Sequence, residues 1–190
     1  MNKTVLITGA SSGIGLNFSH KFAGSGHDVI LVARSEEKLL ALSQEITNKY
    51  EVKAHVFISD LSKSQATKKL YDEIKAQGIR VDILINNAGF GLFGEFEETE
   101  LSKELDMIQV NITALTELSK YIGKDMVSRK SGRILNVAST AAFQPGPLMA
   151  VYYATKGYVL SFSEALANEW GGPRGESDRS VPRCHQNRFQ

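Results

Sequence analysis

Tyr152 and Lys156 stand four residues apart, so on a helix they share one face. A phenol beside an ammonium is a candidate proton donor and acceptor. Tyrosine titrates at about 10, and bringing it near 7 takes roughly 4 kcal/mol of preferential phenolate stabilisation, which a nearby cation works toward. Thirteen residues upstream, Ser139 offers a hydroxyl that can hydrogen-bond an oxygen on which charge develops. Near the start of the chain, Thr8-Gly9-Ala10-Ser11-Ser12-Gly13-Ile14-Gly15 is a glycine-rich turn. Ahead of a helix, such a turn presents unpaired N–H groups and the positive end of the helix dipole to a pyrophosphate. Its spacing is G-x-x-x-G-x-G rather than the general G-x-G-x-x-G dinucleotide fingerprint. No Gly-Lys-Ser/Thr follows, so it is not a P-loop. Plainer readings exist for both features: a solvated helix face for the Tyr–Lys pair, and a mere strand-to-helix connection for the glycines.

The end of the second strand tests the dinucleotide reading. An acid about 20 residues beyond the glycines would hold the ribose 2′-hydroxyl of NAD. Ala33-Arg34-Ser35 stands there instead. A guanidinium can hold a 2′-phosphate, which favours NADP(H) over NAD(H); otherwise Arg34 is a solvated strand-end cation.

These residues need elements to position them. Apolar runs at 3–8, Asp28–Ala33, Val52–Ile58, Val81–Asn86 and Ile134–Val137 predict five strands. Between and after them, helical periodicity covers Ile14 to about Gly24, Glu36–Lys49, Ser62–Gln77 with Ser62 as cap, 100–130, and Tyr152–Trp170. Strands apolar on both faces, alternating with helices, predict an α/β chain: a Rossmann-like doubly wound parallel sheet with helices on both faces. On this reading the glycine turn opens the first helix, and Ser139 lies just beyond the fifth strand, where open α/β sheets place their ligands.

Composition excludes other classes. With 22 basic against 21 acidic side chains the formal charge is +1, which removes the electrostatic case for nucleic acid or an anionic membrane. A hydrophobic content of 42% suffices for a sizeable core. Cys184 is alone, so neither an intrachain disulfide nor a cysteine-based zinc site is expected, and the histidines suggest no metal cluster. No apolar run approaches the ~20 residues of a membrane span, and Met1–Gly9 is too short for a signal peptide. A cytoplasmic protein is the expectation. Glu95, Glu97, Glu98 and Glu100 read as a solvated acidic run, and Phe90, Phe93 and Phe96 as either loop packing or a substrate mouth.

Asn86-Asn87-Ala88-Gly89 after the fourth strand, Ser139 after the fifth, Tyr152-x-x-x-Lys156 and the glycine turn occur in this order on these elements. With them the chain resembles the short-chain dehydrogenase/reductase family over residues 3 to about 170. The resemblance implies a hydride transfer between a nicotinamide and a carbonyl or alcohol carbon, with Tyr152 moving the proton. It implies that Lys156 also holds the nicotinamide ribose and that Asn111 positions a water in a proton relay. Gly9, Ser11, Ser12, Gly13, Ile14 and Gly15 would hold the cofactor's phosphates. Asp60-Leu61 resembles the pair that holds the adenine ring, and Asn87-Ala88-Gly89 would line the adenosine side and stabilise the sheet. A homo-oligomer through the helices at 101–128 and 152–170 is implied as well. The alternative is a non-catalytic dinucleotide-binding or interaction protein, inactivated by C-terminal truncation.

The resemblance stops after Trp170. The family would continue with two more strands and a Pro-Gly loop near the nicotinamide. Residues 171–190 instead hold four of the eight arginines and none of the fourteen lysines, and read as a structureless tail leaving the fifth strand as an edge. If the codons of 171–189 are read one nucleotide later, Ser177–Phe189 can become VTVLCPGATRTGF, the missing strand and Pro-Gly turn. Asp178, Cys184, His185, Gln186, Asn187 and Phe189 each leave two outcomes, and all permit the fitting one. One extra nucleotide in the G-rich run encoding Trp170-Gly171-Gly172 is therefore expected. Residues 1–170 would then be the dinucleotide-binding domain with the catalytic residues, and 171–190 an out-of-frame tail. A divergent genuine tail is the other reading.

Overall fold

The computed structural model describes residues 2–170, and the backbone of residues 183–186. The expectations for 171–182 and 187–190 lie outside the described residues. Strands β1 (Thr4–Thr8), β2 (Asp28–Ala33), β3 (Ala54–Ile58), β4 (Ile83–Asn86), β5 (Arg133–Asn136) and β6 (Arg183–Gln186) form one sheet. Their order is β3-β2-β1-β4-β5-β6, with every neighbouring pair parallel. The order reverses beside β1, which pairs with β2 on one side and β4 on the other. A crevice therefore opens at the carboxyl ends of β1 and β4, as in other doubly wound sheets.

Strand alternation explains why the apolar runs are nearly continuous. Val5, Ile7, Val29, Leu31 and Ile85 form one core with Ala23 of α1 (Gly13–Gly24) and Leu39, Leu42 and Ile46 of α2 (Glu36–Tyr50). Leu6, Ile30, Val32, Leu84 and Ile134 form the other. They pack on Leu70 and Ile74 of α3 (Ala66–Ala76) and on Leu118, Ile122 and Met126 of α5 (Leu115–Ser128). α4 (Leu101–Ile108) and α6 (Ala150–Trp170) are the remaining α-helices among the described residues.

Four local differences from the sequence reading have physical causes. The third helix starts at Ala66 and not at Ser62. The Ser62 N–H donates to Asp60 Oδ1 at 3.1 Å, so the Asp60 side chain offers the backbone a turn in place of a helix start. The stretch 100–130 is broken by a π-helical turn, Gln109–Ala114, between α4 and α5. The third strand begins two residues late, because α2 runs to Tyr50 and Glu51 closes it in the left-handed region at φ 56°. Finally, the tail is not wholly structureless. Arg183–Gln186 runs parallel to β5 with Arg133 opposite Arg183, so β5 is not the sheet edge over these residues. Backbone pairing asks nothing of side-chain polarity, and the unpaired N–H and C=O groups of an edge strand template a neighbour.

Candidate functional site

The glycine turn leaves β1 at Gly9, whose φ of 67° lies in the left-handed region. A Cβ at Gly9 would sit 2.9 Å from Asn87 Nδ2, and one at Gly15 would sit 2.1 Å from the Gly9 carbonyl oxygen. Gly9 is therefore required by the close approach of the loop after β4, and Gly15 by close packing of α1 on the turn. At Gly13 a Cβ would meet no protein atom within 4 Å, because that residue faces the open cleft. Ser12 is the N-cap residue of α1, yet its side chain makes no capping hydrogen bond. The first N–H groups of α1 thus stay available to an anion, and the turn fits a pyrophosphate.

The cleft has a volume of about 930 Å³, and every residue expected to bind cofactor lines it except Gly15, which lies beneath the turn. At one end stand Arg34 and, four residues on in α2, Lys38. No carboxylate occupies the end of β2. Across from them is Asp60 with the buried Leu61. Burial opposes the Asp60 charge, but hydrogen bonds from Ser62 and the nearby Arg34 and Lys63 cations outweigh it and hold the carboxyl below its ordinary value.

Asn87 closes the seam between β1 and β4. Its Nδ2 donates to the Thr8 carbonyl at 2.9 Å, and the Asn87 and Ala88 N–H groups donate to the Thr8 hydroxyl at 3.0 and 2.9 Å. The Thr8 hydroxyl itself donates to the Ile85 carbonyl at 3.3 Å. Below this seam Asn86 donates to Asn136, its register partner on β5, at 2.9 Å, and Asn136 donates to Ser163 of α6 at 2.9 Å. A buried polar ladder therefore fixes α6 to the sheet.

At the other end of the cleft stand Ser139, Tyr152 and Lys156. Ser139 caps a short 3-10 turn, Thr140–Phe143, its Oγ accepting from the Ala141 N–H at 3.2 Å. That bond uses a lone pair and leaves the hydroxyl hydrogen to be donated. Tyr152 and Lys156 lie one turn apart on α6, with Lys156 Nζ 5.9 Å from the centroid of the Tyr152 ring. The 90–94 loop packs on that ring: a Cβ at Gly91 would meet Tyr152 Cδ2 at 3.1 Å. Lys156 is only 7% exposed and donates to the Val137 carbonyl at 3.0 Å. Burial lowers its pKa to about 8.

Asn111 lies in the π-helical turn and is buried. Its amide is hydrogen-bonded to Phe90 and to Thr155, so its side chain acts inside the protein, not in the open cleft. Thr8, Lys38 and Thr155 were not singled out by sequence. Lys38 had a signal, falling one helical turn after Arg34, and Thr155 is the residue before Lys156. Thr8 had none. Phe90 lines the cleft, while Phe93 and Phe96 are exposed on the following loop. Among the described residues no group of three or more His, Cys, Asp or Glu could hold a metal ion, and no helix is long and apolar enough to cross a membrane.

A doubly wound sheet with a glycine turn at its switch point and a Ser, Tyr and Lys beyond it defines a dinucleotide-dependent dehydrogenase fold. The chain belongs to the short chain dehydrogenase family, whose model matches residues 3–174. It is 39% identical over 170 residues to a very-long-chain 3-oxoacyl-CoA reductase of Pyrenophora tritici-repentis, covering 86% of this chain and 49% of that protein. It is 33% identical over 174 residues to mouse 17-beta-hydroxysteroid dehydrogenase type 3, covering 90% of this chain and 56% of that protein. The chain thus spans about half the length of the curated relatives it matches. Among solved structures, a short-chain dehydrogenase from Sphingobium yanoikuyae in complex with NADPH superposes with a TM-score of 0.83 at 36% identity, over 88% of this chain and 65% of that one.

Proposed function

We propose that this chain is an NADP(H)-dependent oxidoreductase that transfers a hydride between nicotinamide and a carbonyl or alcohol carbon, with Tyr152 as general acid and base. The observation that carries the reading is that Ser139, Tyr152 and Lys156 line the same cleft as the glycine turn. The dinucleotide supplies the hydride in reduction and accepts it in oxidation. In reduction the Tyr152 hydroxyl gives its proton to the substrate oxygen, and in oxidation the phenolate takes it back. The Lys156 ammonium favours the phenolate, and the Ser139 hydroxyl donates to the oxygen as negative charge grows on it. Below pH about 8 Lys156 carries the charge this requires.

Arg34 and Lys38, with no acid at the end of β2, support a 2′-phosphate and hence NADP(H) over NAD(H). Asp60-Leu61 would hold the adenine, and Asn87-Ala88-Gly89 the adenosine side. The names of the relatives make 3-oxoacyl-CoA esters and ketones of the hydroxysteroid series the first substrates to assay. The same kinship supports pairing of copies through α4–α5 and α6.

The test compares the unmutated chain with Tyr152→Phe. The expected result is loss of at least about 100-fold in NADPH oxidation with carbonyl substrate, while NADPH binding is retained. Equal turnover by the two proteins would overturn the reading.

A further inference from the structure

Asn111 is 1% exposed, and both hydrogens of its side-chain amide are committed within the protein. One goes to the Phe90 carbonyl at 3.0 Å, the other to the Thr155 hydroxyl at 3.0 Å. Its Oδ1 accepts from the Phe90 N–H at 3.1 Å. Thr155 is also 1% exposed, and its hydroxyl passes its own hydrogen to the Tyr152 carbonyl at 2.7 Å. That single hydroxyl therefore joins the loop after β4, the π-helical turn and the first turns of α6. It sits between the two residues the reaction needs, next in sequence to Lys156 and three residues after Tyr152. The packing is close: a Cβ on Gly89 would lie 2.9 Å from Asn111 Oδ1 and 3.6 Å from Lys156 Nζ.

We propose that Thr155 is a positioning residue of the site: through Asn111, its hydroxyl fixes the Gly89–Phe90 loop against α6 and so sets where Tyr152 and Lys156 stand in the cleft. The proposal rests on the oxidoreductase reading for its functional consequence, and on hydrogen bonds alone for its structural part. A helical threonine commonly bonds back to the carbonyl one turn earlier. Here that back-bond turns the oxygen's lone pairs toward Asn111. Valine matches the shape of threonine but cannot accept a hydrogen bond. In Thr155→Val one buried Asn111 hydrogen is orphaned, and the amide must turn or draw in water to satisfy it. Either response loosens its grip on Phe90.

The experiment uses the full 190-residue chain with Thr155→Val and Thr155→Ser. Thr155→Val is expected to keep NADPH affinity and the ketone KM within about 3-fold, and to lose kcat by about 10- to 100-fold, since a displacement near 1 Å costs about that much. Thr155→Ser, which keeps the hydroxyl, is expected to stay within about 3-fold of the unmutated kcat. A merely structural threonine would lower the thermal midpoint and leave kcat alone. Unchanged kcat in Thr155→Val, or equal loss in Val and Ser, overturns the proposal. Should Thr155→Val not fold, Thr155→Ala carries the same comparison with serine. A second readout needs no turnover: the Asn111 side-chain amide hydrogens, followed by NMR, should exchange slowly in the unmutated and Ser chains and fast in Val. Slow exchange in Val overturns the hydrogen-bond tie. If neither the 190-residue chain nor its in-frame counterpart reduces a carbonyl, the oxidoreductase reading fails by itself, and the exchange measurement still decides the tie.

Discussion

The Asn87 side chain and the Thr8 backbone are locked together where the strand order reverses, Nδ2 donating to the Thr8 carbonyl at 2.9 Å. The Thr8 hydroxyl receives two further N–H groups from the same loop, those of Asn87 and Ala88. Three hydrogen bonds thus hold the mouth of the crevice at one width.

Removing the hydroxyl tests that hold. Thr8→Val takes the acceptor from the Ala88 N–H and one of two acceptors from the Asn87 N–H, which keeps the Ile85 carbonyl at 3.1 Å, at a position 1% exposed. A stability loss of about 1–3 kcal/mol is expected, together with weaker NADPH binding. Denaturant unfolding and a fluorescence titration measure the two, and an unchanged affinity would show that the seam does not set the cleft.

The cation pair at the far end should separate the two dinucleotides. Arg34→Ala combined with Lys38→Ala is expected to weaken NADPH binding by about 10- to 100-fold and to leave NADH nearly unaffected, since each charged hydrogen bond contributes about 1.5–3 kcal/mol. Equal losses for both cofactors would mean that these side chains do not meet a 2′-phosphate.

Two glycines in the same turn should fail in different ways. Gly15→Ala drives a methyl to 2.1 Å from a backbone oxygen, so a large loss of stability is expected. Gly13→Ala has room, and strain at φ 54° costs only about 1–2 kcal/mol. Its methyl instead enters the place where phosphate would approach. Melting curves should therefore distinguish the pair, with Gly13→Ala folded but deficient in NADPH binding.

Lys156 is kept charged against its surroundings. Its fall from 10.5 to about 8 corresponds to roughly 3 kcal/mol disfavouring the charged form, less whatever the Val137 carbonyl returns. The lowered native pKa means that the unfolded chain binds more protons between pH 8 and 10.5, so stability rises with pH across that window. Lys156→Met should be more stable than the unmutated chain at pH 7 and inactive, with its advantage shrinking by pH 10. Urea unfolding at both pH values measures this, and a Met variant less stable at pH 7 would contradict it.

The coding nucleotides from Glu169 to Ser177 are expected to contain one surplus G, as read from the sequence of the tail. The in-frame chain should then reduce carbonyls faster than the 190-residue chain under matched NADPH. An unaltered nucleotide sequence, or equal rates, would count against the frameshift.

Fold and glycine turn were legible because they rest on local rules. The runs around Val5, Val29 and Ile83 can be satisfied only by a sheet covered on both faces, and Gly9 and Gly15 are demanded by close approach. Tyr152 and Lys156 were legible from helical spacing. Thr8 and Thr155 were not, because their importance comes from partners 79 and 44 residues away, and a lone threonine in a strand or helix looks like any other. The third helix start misled for a similar reason. Ser62 had the composition of a cap, but the Asp60 carboxylate two residues earlier competed for its N–H and won.

The central place of β1 also bears on when the site can come into being. Its first neighbour, β2, follows after a single crossover, whereas the second, β4, pairs Val5 with Ile83, 78 positions further along the chain. Contacts so distant in sequence close late and slowly, since the entropy of the loop is lost before the contact is gained. A growing chain can assemble the α1–α2 side by itself. It has no crevice until β4 docks, and Tyr152 and Lys156 arrive only with α6. The cleft is thus a surface completed by α6, the last helix among the described residues.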